Sequence, residues 1–291
     1  MKNKIWQLII TVVFCTNIQY GQKQNIEFKR QIIDQMTSAI KAQNQLTFIM
    51  QKKERDIKSS KTEKYITGKL YAKLNVDPFK MYIKSYYPSP GAEILYKDGW
   101  NDNEALVNPN AFPYFSFSFR PEHYLLLAGG HHCLKEAGFK LLCKMIEHYK
   151  KEFENKVYEL IEYNGVYLWN KRRCHKLTIR FPDYKVLNYE CERGDNLYKI
   201  AERLLINVGK LRELNPRIKD TEYLIENQQI KVTNFYAEKI ILYIDIENKF
   251  PILQEIYDKK GLYEKFMYLT LEINNPISNE EFNRNYKDYN F

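Results

Sequence analysis

From Leu46 onward, apolar side chains recur at every second position: Leu46, Phe48 and Met50, then runs over Tyr65 to Leu74, Met81 to Tyr87 and Ala92 to Tyr96. A period of two puts one set of side chains on a single face of an extended chain, so each run reads as a strand with one buried face. Lys97-Asp98-Gly99-Trp100 supplies a tight turn into a strand around Ala105 to Asn108, because Asp-Gly tolerates the positive φ of two-residue hairpins. Strands joined by such turns make an antiparallel meander. The 24 Tyr and 16 Phe among 291 residues strengthen this reading, since aromatic side chains favour pleated surfaces.

The period changes in two places. Ile32, Ile33, Met36, Ala39 and Ile40 recur at helical spacing with Lys29, Arg30, Asp34 and Lys41 between them, and Leu141, Leu142, Met145 and Tyr149 mark a second helix over Lys135 to about Phe153. Two strands are expected around Asn164-Gly165 and a third at His175 to Arg180. Ile240 to Ile246, Ile252 to Tyr257, a turn at Asp258 to Gly261, and Leu262 to Ile273 return the meander, and a short helix near Glu280 closes the chain. The fold class is α+β, a curved antiparallel sheet with helices on one face.

The N-terminus combines basic Lys2 and Lys4, an apolar stretch from Ile5 to Cys15 and a polar exit to Gly21, the parts of a secretory signal over residues 1–21. Its apolar stretch is shorter than the roughly 20 residues that span a bilayer. Export permits disulfides, so Cys133, Cys143, Cys174 and Cys191 admit three complete pairings or four buried thiols, and both alternatives stay open. Lys plus Arg (45) exceed Asp plus Glu (36), a surplus that favours anionic partners without choosing among them. Lys171-Arg172-Arg173 and Lys52-Lys53-Glu54-Arg55 read as solvated basic faces or weak contacts to anionic lipid or wall polymer, and since exported proteins seldom meet nucleic acid, no nucleic-acid partner is expected.

Between the strands ending at Arg180 and beginning at Lys239 lies a segment of different character. Tyr189 to Ala201 reads as a short strand, a glycine turn and a helix capped by Asp195 or Asn196; Val208 to Leu214 is a second helix stopped by Asn215-Pro216, and Asn227 to Val232 is a closing strand. This β-α-α-β order, with Tyr189, Gly194, Asp195, Leu197, Ile200, Ala201, Leu211, Asn215, Gln228 and Val232 in place, resembles the LysM module, whose pattern is Tyr-x-Val-x-x-Gly-Asp-Thr-Leu-x-x-Ile-Ala, Leu-x-x-x-Asn and Gly-Gln-x-Leu-x-Val. Cys191, Asn196, Asn227 and Ile230 depart from it in physically mild ways. The resemblance implies binding of N-acetylglucosamine-containing glycans such as peptidoglycan, in a groove with Asp195, Asn196 and Leu197 on one wall and Ile218, Lys219 and Asp220 on the other.

The flanking segments carry a second resemblance. Asn108-Pro109-Asn110-Ala111-Phe112-Pro113, His131-His132, Asn170 to Cys174 and Pro251 to Glu264 resemble an exported bacterial family, domain of unknown function 1571, which in turn looks like the LolA and LolB lipoprotein carriers. The likeness implies a half-barrel around an apolar groove, over residues 22–185 and 235–291, with the LysM-like module at 186–234. It also implies a Gram-negative envelope protein, periplasmic or associated with the outer membrane and at most peripheral to a bilayer. Phe48, Met50, Leu70, Leu74 and Ile83 are the candidate lining of a cradle for a lipid or lipoprotein acyl chain, against a plain-core alternative.

Catalysis and cofactors are not expected. Adjacent His131 and His132 are poorly placed to share one ion, and neither they nor Cys133, Cys143, His148, Cys174 and His175 show paired zinc-ligand spacing, so no metal is expected. Neither Cys133 beside His132 nor Cys174 beside His175 carries a nucleophile motif. The functional expectation is a non-catalytic envelope protein that binds peptidoglycan and cradles an acyl chain; the alternative is a structural or partner-binding scaffold with a degenerate LysM and no ligand.

Overall fold

The computed structural model describes residues 24–59, 61, 63–112, 114–123, 126, 130–219 and 223–291; the expected secretory signal lies outside them. No helix of the described residues is long and apolar enough to cross a membrane. The first helix, α1 (24–41), presents Ile32, Ile33, Met36 and Ile40 to the core, as their spacing requires. The meander follows as β1 (Gln45–Arg55), β2 (Tyr65–Asn75), β3 (Lys80–Tyr87), β4 (Glu93–Lys97), β5 (Ala105–Asn108) and β6 (Phe117–Phe119). Then come α2 (Lys140–Phe153), β7 (Ile161–Trp169), β8 (Arg172–Arg180) and, after the inserted module, β11 (Lys239–Asp245), β12 (Pro251–Asp258) and β13 (Gly261–Ile273). Among the described residues these form one eleven-stranded sheet, ordered β6-β5-β4-β3-β2-β1-β13-β12-β11-β8-β7, with every neighbouring pair antiparallel. The sheet is curved and does not close, and α1 and α2 pack into the apolar cluster on its concave side. The expected half-barrel is the fold of this chain.

Local chemistry explains the departures from expectation. Gly138 has φ 83°, a conformation that interrupts a helix, so α2 starts at Lys140 instead of Lys135, after a 3-10 turn at Leu134–Glu136. Asp98-Gly99 is not a two-residue hairpin: Asn101, Asp102 and Asn103 adopt left-handed φ in a longer connection to β5. Asn164-Gly165 does not separate two strands either. It is a bulge inside β7, and the hairpin into β8 turns at Asn170-Lys171, both with positive φ. The expected closing helix is a single 3-10 turn, Asn279–Phe282, held by a capping box in which Ser278 and Glu281 bond each other's backbone N–H. Beyond it the C-terminal segment stacks Tyr289 on Tyr82, ring centroids 3.7 Å apart, and forms a small second apolar cluster with Leu95 and Phe282. All four described cysteines are free.

The inserted module is β9 (Val186–Glu190), α3 (Leu197–Leu204), α4 (Val208–Leu214) and β10 (Gln229–Thr233), with β9 and β10 paired antiparallel. Leu197, Ile200, Ala201, Leu211, Ile230 and Val232 form its own core. Asn196 caps α3 by accepting from the Lys199 N–H, and Asn207 caps α4 through the Lys210 N–H. Asn215 clamps α4 to β10, donating to the Lys231 carbonyl and accepting from its N–H at 2.8 and 2.9 Å. Asn227 takes the left-handed φ (66°) that glycine would supply. The module enters and leaves between β8 and β11, which pair directly, and its ends are tied where the Lys185 N–H donates to Asn234 Oδ1 at 2.8 Å.

Candidate functional site

Three regions carry functional geometry, and the first is inside the half-barrel. Alternation along β1 sends Phe48, Met50, Lys52 and Glu54 to one face, and along β13 it sends Tyr268, Phe266 and Glu264 to the same face. Each strand therefore runs from apolar to charged across the concave side. Over the apolar part, β2–β4 add Leu70, Met81, Ile83 and Ile94, and α2 adds Leu141, Leu142 and Met145, around a cavity of about 390 Å³. That volume falls within the roughly 300–1,000 Å³ of small-molecule sites. Exposed Tyr87, Pro88 and Ser89 line one side of the cavity; Lys52, Glu54, His132, Glu136 and Tyr236 line its polar part. Of the residues expected at a cradle, Phe48, Met50, Leu70 and Ile83 are on the cavity wall. Leu74 is not: it is sealed in the core against Gly138.

The second region joins host and module. Glu54 and Glu264 face each other directly across β1 and β13, both buried. Glu264 Oε1 lies 2.8 Å from His131 Nδ1, 3.0 Å from His132 Nε2 and 2.6 Å from Asn207 Nδ2, while Oε2 accepts from the Tyr236 hydroxyl at 3.1 Å. The adjacent histidines thus do converge, one through its δ and the other through its ε nitrogen. Their outer nitrogens are also engaged, His131 Nε2 with the Arg55 carbonyl at 2.8 Å and His132 Nδ1 with Glu136 Oε2 at 3.1 Å. Glu136 is held by its own 3-10 turn, where the same oxygen accepts from the Cys133 N–H. Burial alone would lower His132, but Glu264 and Glu136 outweigh it and hold the ring's pKa well above its ordinary value. Burial alone would raise Glu264, and the two histidines hold it well below the usual carboxylate range.

Beside this cluster, Asp258, the last residue of β12, accepts both terminal nitrogens of Arg55, at 2.7 and 2.8 Å, and the Lys210 ammonium of α4 at 2.6 Å. Lys210 also pairs with Glu213. The stretch Lys52 to Arg55, read from sequence as a solvated basic face, ends in two buried residues, Glu54 and Arg55. Sequence reasoning missed Glu54, Glu264, Asn207 and Tyr236 as a group because no local spacing links them.

The third region is the loop end of the module around Gly194–Asn196. The Gly194–Asn196 loop leads into α3, whose Tyr198 hydroxyl donates to the Glu122 carbonyl of the host at 2.5 Å. There the Leu224 N–H donates to the Asp195 carbonyl at 2.8 Å, setting 223–225 beside 194–196. Tyr223 is 67% and Ile225 76% exposed, whereas Leu197 is 0% exposed and belongs to the module core. The Asp195 carboxylate, 2% exposed, accepts from the Glu192 N–H and Arg203, and Asn196 caps α3, so this wall offers backbone and loop shape to a ligand. Ile218 packs partly buried against the core, Lys219 is exposed, and Asp220 lies outside the described residues.

No thiol here is activated. Burial pushes Cys133 up to about 12 and Cys174 up to about 11, with nearby carboxylates adding to the shift, so neither is a poised nucleophile.

Fold and sites together define a half-barrel cradle with a small β-α-α-β module docked on it. The chain belongs to the family described as protein of unknown function DUF1571, whose model matches residues 43–210, more than half of the chain, and residues 189–233 match the LysM domain. The two matches share 189–210, the stretch that brings Asn207 and Lys210 to the host. Solved structures similar to it include the Mycobacterium tuberculosis lipoprotein LppX (TM-score 0.41, 9% identity, covering 87% of this chain and 98% of that one). Others are LprF from Mycobacterium bovis (0.39, 10%, 87% and 95%) and a putative outer membrane lipoprotein-sorting protein domain from Vibrio parahaemolyticus (0.34, 10%, 89% and 98%). No curated protein matches the chain.

Proposed function

We propose that this is a non-catalytic, exported envelope protein that holds a lipid or lipoprotein acyl chain in its half-barrel and is tethered to peptidoglycan, or a related N-acetylglucosamine glycan, by its LysM domain. The observation that carries the reading is the apolar cavity of about 390 Å³ kept between the concave sheet and α2, with charged groups confined to one part of its wall. Burying an acyl chain contributes about 0.8 kcal/mol per methylene, and the charged part suits a polar head group. LppX is named a lipoprotein, and the Vibrio domain a putative lipoprotein-sorting one; those descriptions agree with the reading without carrying it. Native mass spectrometry of gently purified protein tests it: a lipid adduct that disappears in Ile83→Trp, which fills the cavity, is expected. An apo mass for wild type in the presence of added phospholipid removes the cradle.

A second reading, a scaffold with a degenerate LysM, is favoured by one observation: Asp195, Asn196 and Leu197 are all engaged inside the module. Cosedimentation with purified peptidoglycan separates the two readings.

A further inference from the structure

Lys52 is the first charged residue beyond Phe48 and Met50 on the inward face of β1, so it stands where the apolar wall of the cavity ends. It lies opposite Gly68 of β2. A Cβ at Gly68 would sit 3.4 Å from the Lys52 stem and 3.5 Å from the Tyr87 carbonyl, so the missing side chain lets the lysine pack beside the exposed side of the cavity at Tyr87. The charged groups of the wall divide by accessibility. Glu54 is sealed, with 1% of its side chain exposed, whereas Lys52, His132 and Glu136 keep 22%, 20% and 23%. Each accessible charge has a partner and still has capacity to bond. Among the described residues Lys52 uses one of its three N–H donors, on Glu54 at 2.7 Å. Glu136 takes both His132 Nδ1 and the Cys133 N–H on Oε2, and its Oε1 accepts no hydrogen bond among the described residues. The wall is therefore neutralised by its own pairs, with donors left over at Lys52 and an acceptor left over at Glu136. A ligand head of net charge brings no counter-ion into such a site and is penalised as an acyl chain displaces the water, whereas a head of both signs meets a partner for each.

We propose that this polar wall is a head-group site for a zwitterionic phospholipid of the ethanolamine class, with Lys52 donating to the phosphate and Glu136 accepting from the primary ammonium. The proposal rests on the acyl-chain reading of the same cavity and adds to it which head the chain carries. A primary ammonium has N–H bonds to give and a quaternary one has none, so Glu136 Oε1 separates ethanolamine heads from choline heads. A phosphoglycerol head carries an anion without a cation, which leaves Glu136 unmatched and adds a charge beside Glu54. Lys69 also lines the cavity, but it is exposed, with its ammonium 5.7 Å from the Tyr86 ring centroid, where solvent screens it.

The test uses the full chain, stripped of lipid, and probes that share one acyl chain: lysophosphatidylethanolamine, lysophosphatidylcholine, lysophosphatidylglycerol and a monoacylglycerol. Each is kept below its micellar concentration, and affinity is read by calorimetry and native mass spectrometry. The ethanolamine lipid is expected to bind about 10–100-fold tighter than the choline and glycerol phospholipids, the scale of one hydrogen bond to a charged group. Glu136→Gln removes that advantage and leaves the choline lipid and the monoacylglycerol unchanged. Lys52→Gln weakens every phosphate-bearing probe and spares the monoacylglycerol, which reports that the cradle is still folded, and Lys52→Arg restores the phosphate-bearing probes. Equal affinity of wild type for all heads, or an ethanolamine preference that survives Glu136→Gln, overturns the head-group site and leaves the cradle standing. Binding of no probe at all removes both.

Discussion

The Lys210 ammonium of the LysM domain lies 2.6 Å from Asp258 at the end of host strand β12, with both side chains only 6% exposed. Arg55 meets the same carboxylate from the other side through two hydrogen bonds. Removing one partner of a buried pair strands the other charge, which costs about 3–5 kcal/mol. Asp258→Ala strands Arg55 and leaves Lys210 with Glu213 alone, so a loss of about that size is expected by urea denaturation. A loss under about 1 kcal/mol contradicts this account of the junction.

The same residues set the response to acid. Burial would raise the carboxyls of Asp258 and Glu213, but Arg55 and Lys210 at the first, and Lys210 and Lys260 at the second, hold both below their ordinary values. A carboxyl with a lowered folded-state pKa contributes stability that is fully present above its unfolded value and is lost as pH falls through the folded one. Their contribution should therefore be flat from pH 7 to about pH 5 and then fall, on top of a small rise below pH 7 from His132, whose raised folded value acts in the opposite direction. The fall should be shallower in a Glu213→Gln variant; identical slopes sink the assignment.

At Gly209 the backbone of helix α4 passes close to host His131. A Cβ there meets Asn207 Oδ1 at 2.9 Å and His131 Cβ and Cγ at 3.0 Å. Overpacking of this kind costs about 1–3 kcal/mol. Gly209→Ala should speed amide exchange over 205–214 while leaving β1 and β13 protected, and unchanged exchange in both segments is the contrary result.

Glycan binding, if it uses the outward loops, depends on side chains that are exposed. Tyr223→Ala and Ile225→Ala should each reduce cosedimentation with peptidoglycan several-fold without altering the melting temperature. Leu197→Ala instead removes a buried side chain, and about 2–5 kcal/mol of stability goes with it. Undiminished pelleting of the Tyr223 and Ile225 variants supports the scaffold reading.

The strands were legible because their signal is local: Phe48, Met50 and Leu70 announce their face by alternation within a few residues. The LysM domain was legible for the same reason, through Gly194, Asp195, Asn215 and their fixed spacing. The junction was not, because its contacts are distant in sequence. His131 and Glu264 are 133 positions apart, and Arg55 and Asp258 are 203 apart. Glu54 looked like one charge in a basic run because sequence does not show that Glu264 lies opposite it. Asn164-Gly165 misled because the same dipeptide chemistry serves a bulge as well as a turn.

Strands β8 and β11 are sheet neighbours, so what lies between them occupies the place of a hairpin loop. A simple turn in that position would close the same pair, and the wiring of the half-barrel is indifferent to the passenger. Deleting the passenger as a unit therefore preserves the topology of the host while uncovering Glu264 and Asp258. Inheritance of the module thus requires compensation at the surface it leaves bare, with no rearrangement of the strands.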